Sequence, residues 1–406
     1  MKLSRRSALL GLTSSWSLGR ASLALAAPSS GAQDPRLVVI LLRGALDGMA
    51  AVTPYGDSGL VALRRDLLLP EPGRDGGLLD LGGFFGLHPA LAGLHQLYGQ
   101  GQMLPVHAVA APYRTRSHFD AQDYLESGAS HRLDSGWLNR AVSALPGQNV
   151  SSRMTRPDGF ALALALGLDV PLLLRGPASI GSYAPAGSQH PTADLYHAIA
   201  QLNAHDPQIG PGLRKGLQAR GYSDDIAPTP FSGSNRKIDA FTRLASAAGL
   251  MLARADGPRV AALELGGWDS HAGQIGALKA PLTRLDEGID ALKASLGPAW
   301  SQSVILAMTE FGRTARMNGT GGTDHGTGAV AFLAGGAVKG GRIAGTWPGL
   351  RPGQLFENRD LAPTTELRSL IAGVLCAHLK MPRNALRKVF PDAPVEPLSG
   401  IVTGQA

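Results

Sequence analysis

Asp47, Asp269, His271, Asp324 and His325 are the side chains of this sequence whose types and spacing suit metal chemistry. They stand in short polar clusters: Arg43-Gly44-Ala45-Leu46-Asp47-Gly48, Gly266-Gly267-Trp268-Asp269-Ser270-His271 and Thr323-Asp324-His325-Gly326. Thr309-Glu310-Phe311-Gly312-Arg313-Thr314 is a fourth, and Thr115-Arg116-Ser117-His118-Phe119-Asp120 a fifth. Imidazole and carboxylate ligands together suit zinc, manganese or iron, whereas an all-oxygen set would suit magnesium or calcium. Five such groups are enough for one ion, or for two ions about 4 Å apart, the arrangement used for displacement at phosphorus. Each residue alone says little, because an aspartate beside glycine is ordinarily a turn residue. Their convergence would say more.

A parallel sheet would bring them together. Leu37–Leu42 is a continuous apolar run, β-branched at its centre, of a length that suits a strand buried on both faces. Met103–Val109, Val260–Leu265, Val304–Met308 and Ala329–Leu333 read as further strands. Helices are predicted over His88–Tyr98, Phe119–Ser127, Trp137–Leu145, Lys237–Ala255, Gln274–Leu296 and Leu367–Leu379. In the longest of them Leu278, Leu282, Leu285, Ile289 and Leu292 form one stripe. Strands separated by helices predict an α/β fold with a mostly parallel central sheet flanked by helices. In such sheets ligands bind outside the carboxyl ends of the strands, and the polar clusters fall at or just after those ends. Residues 27–406 read as one domain; the stretch 149–234, rich in Gly, Pro and Ser, is either an inserted cap or a set of long loops.

Composition narrows the classes. The chain has 406 residues, 44% hydrophobic but only 17% charged, with 53 glycines. That excludes a charged disordered tail and a coiled coil, and one cysteine, Cys376, excludes a disulfide scaffold. The net charge of +7 owes much to residues 1–26, which carry Lys2, Arg5, Arg6 and Arg20 and no acid. No basic block remains elsewhere, so nucleic acid is not an expected partner. Ser4-Arg5-Arg6 precedes a short apolar stretch and Ala24-Leu25-Ala26, the pattern of a cleaved export signal. The paired arginines resemble a twin-arginine leader, which makes the twin-arginine export machinery an expected partner and the periplasm or exterior the expected location. No later apolar run is long enough for a transmembrane anchor.

The order of an aspartate after the first strand, a hydroxyl residue, Asp269-Ser270-His271 and Asp324-His325-Gly326 resembles the alkaline phosphatase superfamily. More specifically, the chain resembles the exported, sulfatase-like family catalogued as domain of unknown function 1501. Leu42–Gly48, Arg116–Phe119, Gly136–Arg140, Gly267–His271, Thr309–Thr314 and Gly322–Gly326 carry that resemblance. It implies an alkaline phosphatase-like fold, with Asp47, Asp324 and His325 holding one ion beside the nucleophile and Asp269 and His271 belonging to a second. The histidine that many superfamily members place after the Asp-His pair has no evident counterpart, since His378 falls in a packing helix. Glu310 would replace it as an oxygen ligand, or only one complete metal site exists.

Ser117 is the first candidate nucleophile and Thr115 the second, both near a helix start whose free N–H groups favour an anion. The alternative for Ser117 is simple helix capping. His118 is either a ligand or a residue that supports one. Arg116, Arg313 or Arg43 would clamp the nonbridging oxygens of a substrate. A formylglycine sulfatase is not expected, because neither Cys376 nor Ser117 lies in the required Cys-x-Pro-x-Arg setting. The resulting expectation is an exported metal-dependent hydrolase of phosphate esters, less so of sulfate esters, acting on a small molecule or glycan. Its rival is a noncatalytic binding or structural protein on the same scaffold.

Overall fold

The computed structural model describes residues 34–114, 116–145, 162–184, 239–255 and 257–403. The leader and much of the stretch 149–234 lie outside the described residues. From β1 (Arg36–Arg43) the chain passes through α1 (Gly48–Ala51), β2 (Val52–Thr53), α2 (Leu60–Arg64), β3 (Leu79–Asp80) and β4 (Gly86–Leu87). It continues through α3 (Ala92–Gly99), β5 (Met103–Ala110), α4 (His118–Ser127), α5 (Trp137–Ala144), β6 (Ala163–Leu166) and β7 (Gly181–Tyr183). Then come α6 (Ala240–Ala253), β8 (Val260–Gly266), α7 (Gln274–Leu296), β9 (Ser303–Thr309) and β10 (Ala329–Ala334). β11 (Thr365–Glu366), α8 (Leu367–Ala377) and α9 (Leu386–Val389) close the chain.

Eight strands form one sheet in the order β11-β5-β10-β9-β1-β8-β6-β7. All its pairings are parallel except those of β10, which runs antiparallel to both β5 and β9. β1 sits near the centre, with Leu37 opposite Val260 on one side and Val304 on the other. That position explains its unbroken apolar run: neither face of a central parallel strand meets water. Alternate residues divide between two cores. Leu37, Val39 and Leu41 pack with Leu138, Leu370 and Ile371 from α5 and α8, while Val38, Ile40 and Leu42 pack with Leu282, Leu285 and Ile289 from α7. The fold is therefore a mixed α/β architecture, a large and mostly parallel sheet between two layers of helices. At about 1.5–3 kcal/mol per fully buried aliphatic side chain, these two faces dominate the favourable side of folding.

β6 and β7 come from the stretch that composition marked as cap or loops, yet they extend the main sheet beside β8. Four and three residues are too short for periodicity to reveal. No helix among the described residues is long and apolar enough to cross a membrane. His378 ends α8 and is buried, its Nε2 2.8 Å from the Arg36 carbonyl at the amino end of β1. That is the opposite edge of the sheet from the polar clusters.

His107, buried in β5, accepts a bond from the Ala108 N–H at Nδ1 and lies 2.9 Å from the Val52 carbonyl through Nε2. Both contacts are satisfied only by the neutral ring with its proton on Nε2. Burial pushes its pKa from 6.5 down to about 4. The unfolded chain thus takes up a proton near pH 6.5 that the folded chain refuses until about pH 4. Between those values acid favours unfolding. Thermal melts should lose stability as pH falls through this window, by on the order of 3 kcal/mol from His107 alone. A slope left unchanged by His107→Gln would refute the assignment.

Candidate metal centre

The parallel strands β8 and β9 end at one edge of the sheet, and antiparallel β10 begins there. The loop after β8 carries Asp269 and His271, the segment after β9 carries Glu310 and Arg313, and the turn before β10 carries Asp324 and His325. β5, antiparallel to β10, also ends at this edge, and the chain then enters α4 at His118. Two glycines allow these segments to touch. A Cβ on Gly322 would stand 2.3 Å from the His271 main chain, and one on Gly44 (φ +119°) 2.9 Å from the Asp269 nitrogen.

Three histidines are each anchored through Nδ1 to a group that can only accept. His118 Nδ1 lies 2.8 Å from Glu310 Oε1, His271 Nδ1 3.2 Å from Asp324 Oδ1, and His325 Nδ1 2.9 Å from the Arg116 carbonyl. Each ring therefore carries its proton on Nδ1 when neutral, which leaves Nε2 as a lone pair. The three Nε2 atoms converge on Asp269. His271 Nε2 lies 3.1 Å and His325 Nε2 3.5 Å from Asp269 Oδ1, and His118 Nε2 is 3.7 Å from Oδ2. His271 and His325 face each other Nε2 to Nε2 at 3.0 Å. Two lone pairs at that distance repel unless a proton or a metal ion stands between them. His118 Nε2 is buried and has no hydrogen-bond partner among the described residues.

Supporting contacts fix the rings. The His118 ring stacks on Phe311, with centroids 5.0 Å apart, and meets His325 edge-on. Glu310, itself buried, also accepts from the Gly44 N–H, from Gln122 and from the Thr309 hydroxyl. Arg313 is buried with Nη2 2.8 Å from Asp269 Oδ1, while its Nε has no partner among the described residues. Burial alone would raise the Asp269 pKa, but Arg313, His271 and His118 outweigh it and hold the carboxyl below its ordinary value. Asp269 and His271 are each nearly half exposed, at 47% and 45% of the side chain, so the cluster opens to solvent. His118, Asp269 and His325 bring their ligand atoms within 4.8 Å of one another, close enough to hold a metal ion, while His271 Nε2 adjoins them and lies 3.4 Å from Arg313 Nη1.

Residues 98–390 match the model of a family described as protein of unknown function (DUF1501). The chain belongs to the DUF1501 family. No curated protein matches it. Among solved structures it is similar to Ps i-CgsB in complex with k-i-k-neocarrahexaose, at 12% identity over 87% of this chain and 74% of that one, TM-score 0.36. It is similar also to a protein in the alkaline phosphatase superfamily from Vibrio parahaemolyticus, at 12% identity over 84% and 71%, TM-score 0.36. A third is the lipoteichoic acid synthase LtaP from Listeria monocytogenes, at 8% identity over 91% and 78%, TM-score 0.34.

In this DUF1501 chain the residues singled out from sequence are distributed unevenly. Asp269, His271, Asp324, His325 and Arg313 come together, with Asp324 and Glu310 touching the far sides of the histidine rings. Asp47 does not join the imidazoles: its carboxylate bonds Arg64, Gln274 and the amide groups that open α1. Arg116 turns its guanidinium to Asp360 and Glu357 and offers the cluster only its carbonyl. Arg43 pairs with Glu126 and Glu264. Ser117 occupies the N-cap position of α4, but its hydroxyl makes no capping bond. Thr115 lies outside the described residues. His118, which sequence alone left between ligand and support, points its unpaired nitrogen inward; the signal was its place beside Ser117 at a helix start after β5.

The anchoring has a direct signature in metal-free protein. The hydrogen bond to Glu310 raises the His118 pKa, whereas burial and the nearby His118 and Arg313 charges lower that of His325. In an NMR titration of 15N-histidine-labelled protein, His118 should take up its proton at a higher pH than His325. Glu310→Gln should bring His118 down. Equal midpoints in the native protein would refute the arrangement.

Proposed function

We propose that this protein is an exported metal-dependent hydrolase of phosphate esters, or failing those sulfate esters. His118, Asp269, His271 and His325 hold a divalent ion, with zinc, manganese or iron suited to the donors. The observation that carries the reading is the triple anchoring of Nδ1 protons, which aims three lone pairs at one carboxylate. A histidine ligand that donates its other N–H to a carboxylate or carbonyl is the usual way of fixing tautomer and orientation. The fit also explains the orphaned His118 nitrogen, since a buried unpaired polar atom needs a partner. When bound, a divalent ion supplies Lewis acidity that polarises the ester and stabilises developing negative charge.

The chain's own residues supply the rest. Glu310, Asp324 and the Arg116 carbonyl hold the three rings. Arg313 is buried beside Asp269, and its Nη2, 2.8 Å from Oδ1, holds that carboxylate in place. Ser117 is the assigned nucleophile, next to His118 at the positive end of α4 and free of capping duty. Thr115 is the alternative. The twin-arginine-like leader supports export, and a small-molecule or glycan ester is the substrate class.

Protein purified without chelators should contain zinc, manganese or iron by plasma mass spectrometry. His118→Ala and Asp269→Ala should each weaken metal binding by more than the 10–100-fold typical, to order of magnitude, of a residue that only orients a ligand. Turnover of p-nitrophenyl phosphate, bis-p-nitrophenyl phosphate or p-nitrophenyl sulfate should fall at least about 100-fold in Ser117→Ala. Full turnover in Asp269→Ala would refute the proposal. Bound metal with no turnover of any ester would transfer the site to the noncatalytic reading.

A further inference from the structure

We infer that the site takes one ion rather than two, and that Asp47 is a positioning residue that sets the three ligand-bearing segments against one another. The inference rests on the ligand set proposed above. It departs from what the sequence resemblance implies, in which Asp47 belongs to one ion of a pair.

The buried carboxylates that a second ion would need are already committed. Asp47 is 1% exposed. Its Oδ1 accepts from the Met49 and Ala50 amides at 3.0 and 3.1 Å and from Arg64 Nη1 at 2.9 Å. Its Oδ2 accepts from Arg64 Nη1 and Gln274 Nε2, each at 2.8 Å, with the Thr323 hydroxyl 3.3 Å away. A carboxylate has about four lone-pair directions, and five close contacts from four donor atoms fill them. Glu310 is equally occupied, on Oε1 by the Gly44 amide, His118 and Gln122 and on Oε2 by Thr309. His378 stands at the far edge of the sheet. Asp324 remains as a single exposed carboxylate that already accepts from His271 and Asn318.

What Asp47 does touch explains its burial. Gln274 Oε1 accepts from the Thr323 hydroxyl at 2.6 Å and from the Ser270 hydroxyl at 3.0 Å. Ser270 lies between Asp269 and His271, and Thr323 precedes Asp324 and His325. Arg64, paired with Asp47, donates to the carbonyls of Thr314 and Ala315 at 2.6 and 2.8 Å, just after Arg313. Thr314 and Asp324 then exchange bonds, Thr314 N–H to the Asp324 carbonyl and Asp324 N–H to the Thr314 hydroxyl. One buried ion pair thus fixes the Asp269–His271 loop, the Asp324–His325 turn and the Arg313 segment together.

Cobalt(II) titration of the metal-free full chain, read by visible absorption and plasma mass spectrometry, tests this. The native protein should saturate at one equivalent. Asp47→Asn should keep that single equivalent but bind cobalt about 10–100-fold more weakly, the loss expected when a residue that orients ligands is removed. Should Asp47→Asn fail to fold, the same reading is taken on Asp47→Asn/Arg64→Met, which leaves neither charge buried alone. Two equivalents in the native protein, one of them lost in the variant, would overturn this inference and leave the histidine set standing. An unchanged cobalt dissociation constant in a folded variant would also overturn it, since a purely structural role moves only the melting temperature. No cobalt bound by the native protein would remove the ligand set itself, and this inference with it.

Discussion

The buried ion pair between Asp47 and Arg64 is the contact on which the arrangement of this edge depends. Both side chains are almost fully enclosed, at 1% and 2% exposure. Burying two charges costs several kcal/mol each in desolvation, and such pairs often add little net stability. Here the remaining valences are all used: Arg64 reaches two carbonyls and Asp47 caps a helix and anchors Gln274. A network satisfied in this way specifies one arrangement of its members. The sheet brings the loops to one edge, but loops on a sheet edge have many accessible positions. The ion pair selects among them.

Around that frame the three histidines follow one rule. Each gives its Nδ1 proton to an acceptor from a different part of the chain, namely the segment after β9, the turn before β10 and the approach to α4. Because those acceptors cannot donate, the tautomer of each ring is set by the chain and not by solvent. Four buried side-chain polar atoms among the described residues lack a partner, Trp137 Nε1, Thr242 Oγ1, His118 Nε2 and Arg313 Nε, and the last two stand side by side. Both belong to the same cluster. Departures from local satisfaction tend to collect where a protein acts.

Much of this was legible in the sequence. Apolar runs located β1, β5, β8, β9 and β10 to within a residue or two, and helical spacing located α7 from Gln274 to Leu296. The rule that ligands bind beyond the carboxyl ends of parallel strands placed the polar clusters on one edge. The short strands β6 and β7 were not legible, because neither spans enough residues to show alternation. The surroundings of Asp47 were hidden for a different reason. Its residue type and its place after β1 are those of a ligand, and only the tertiary neighbours Arg64 and Gln274 reveal that its lone pairs are spent. A sequence shows which residues own lone pairs, but not which of them the fold has already used.

The charge arrangement bears on the kind of ester such a centre would accept. Three neutral imidazoles and a single carboxylate neutralise less of a dication than a carboxylate-rich set does. The one carboxylate, Asp269, is in addition already paired with the Arg313 guanidinium at 2.8 Å. Glu310 and Asp324 are negative, but each lies beyond the Nδ1 side of a ring. Asp324 is half exposed, where solvent screens it. Positive potential would therefore be strongest on the open side, near Asp269 and His271. On the proposed ligand set, a substrate whose reacting group carries negative charge would gain most there, which a phosphate or sulfate ester does and a neutral carboxylic ester does not.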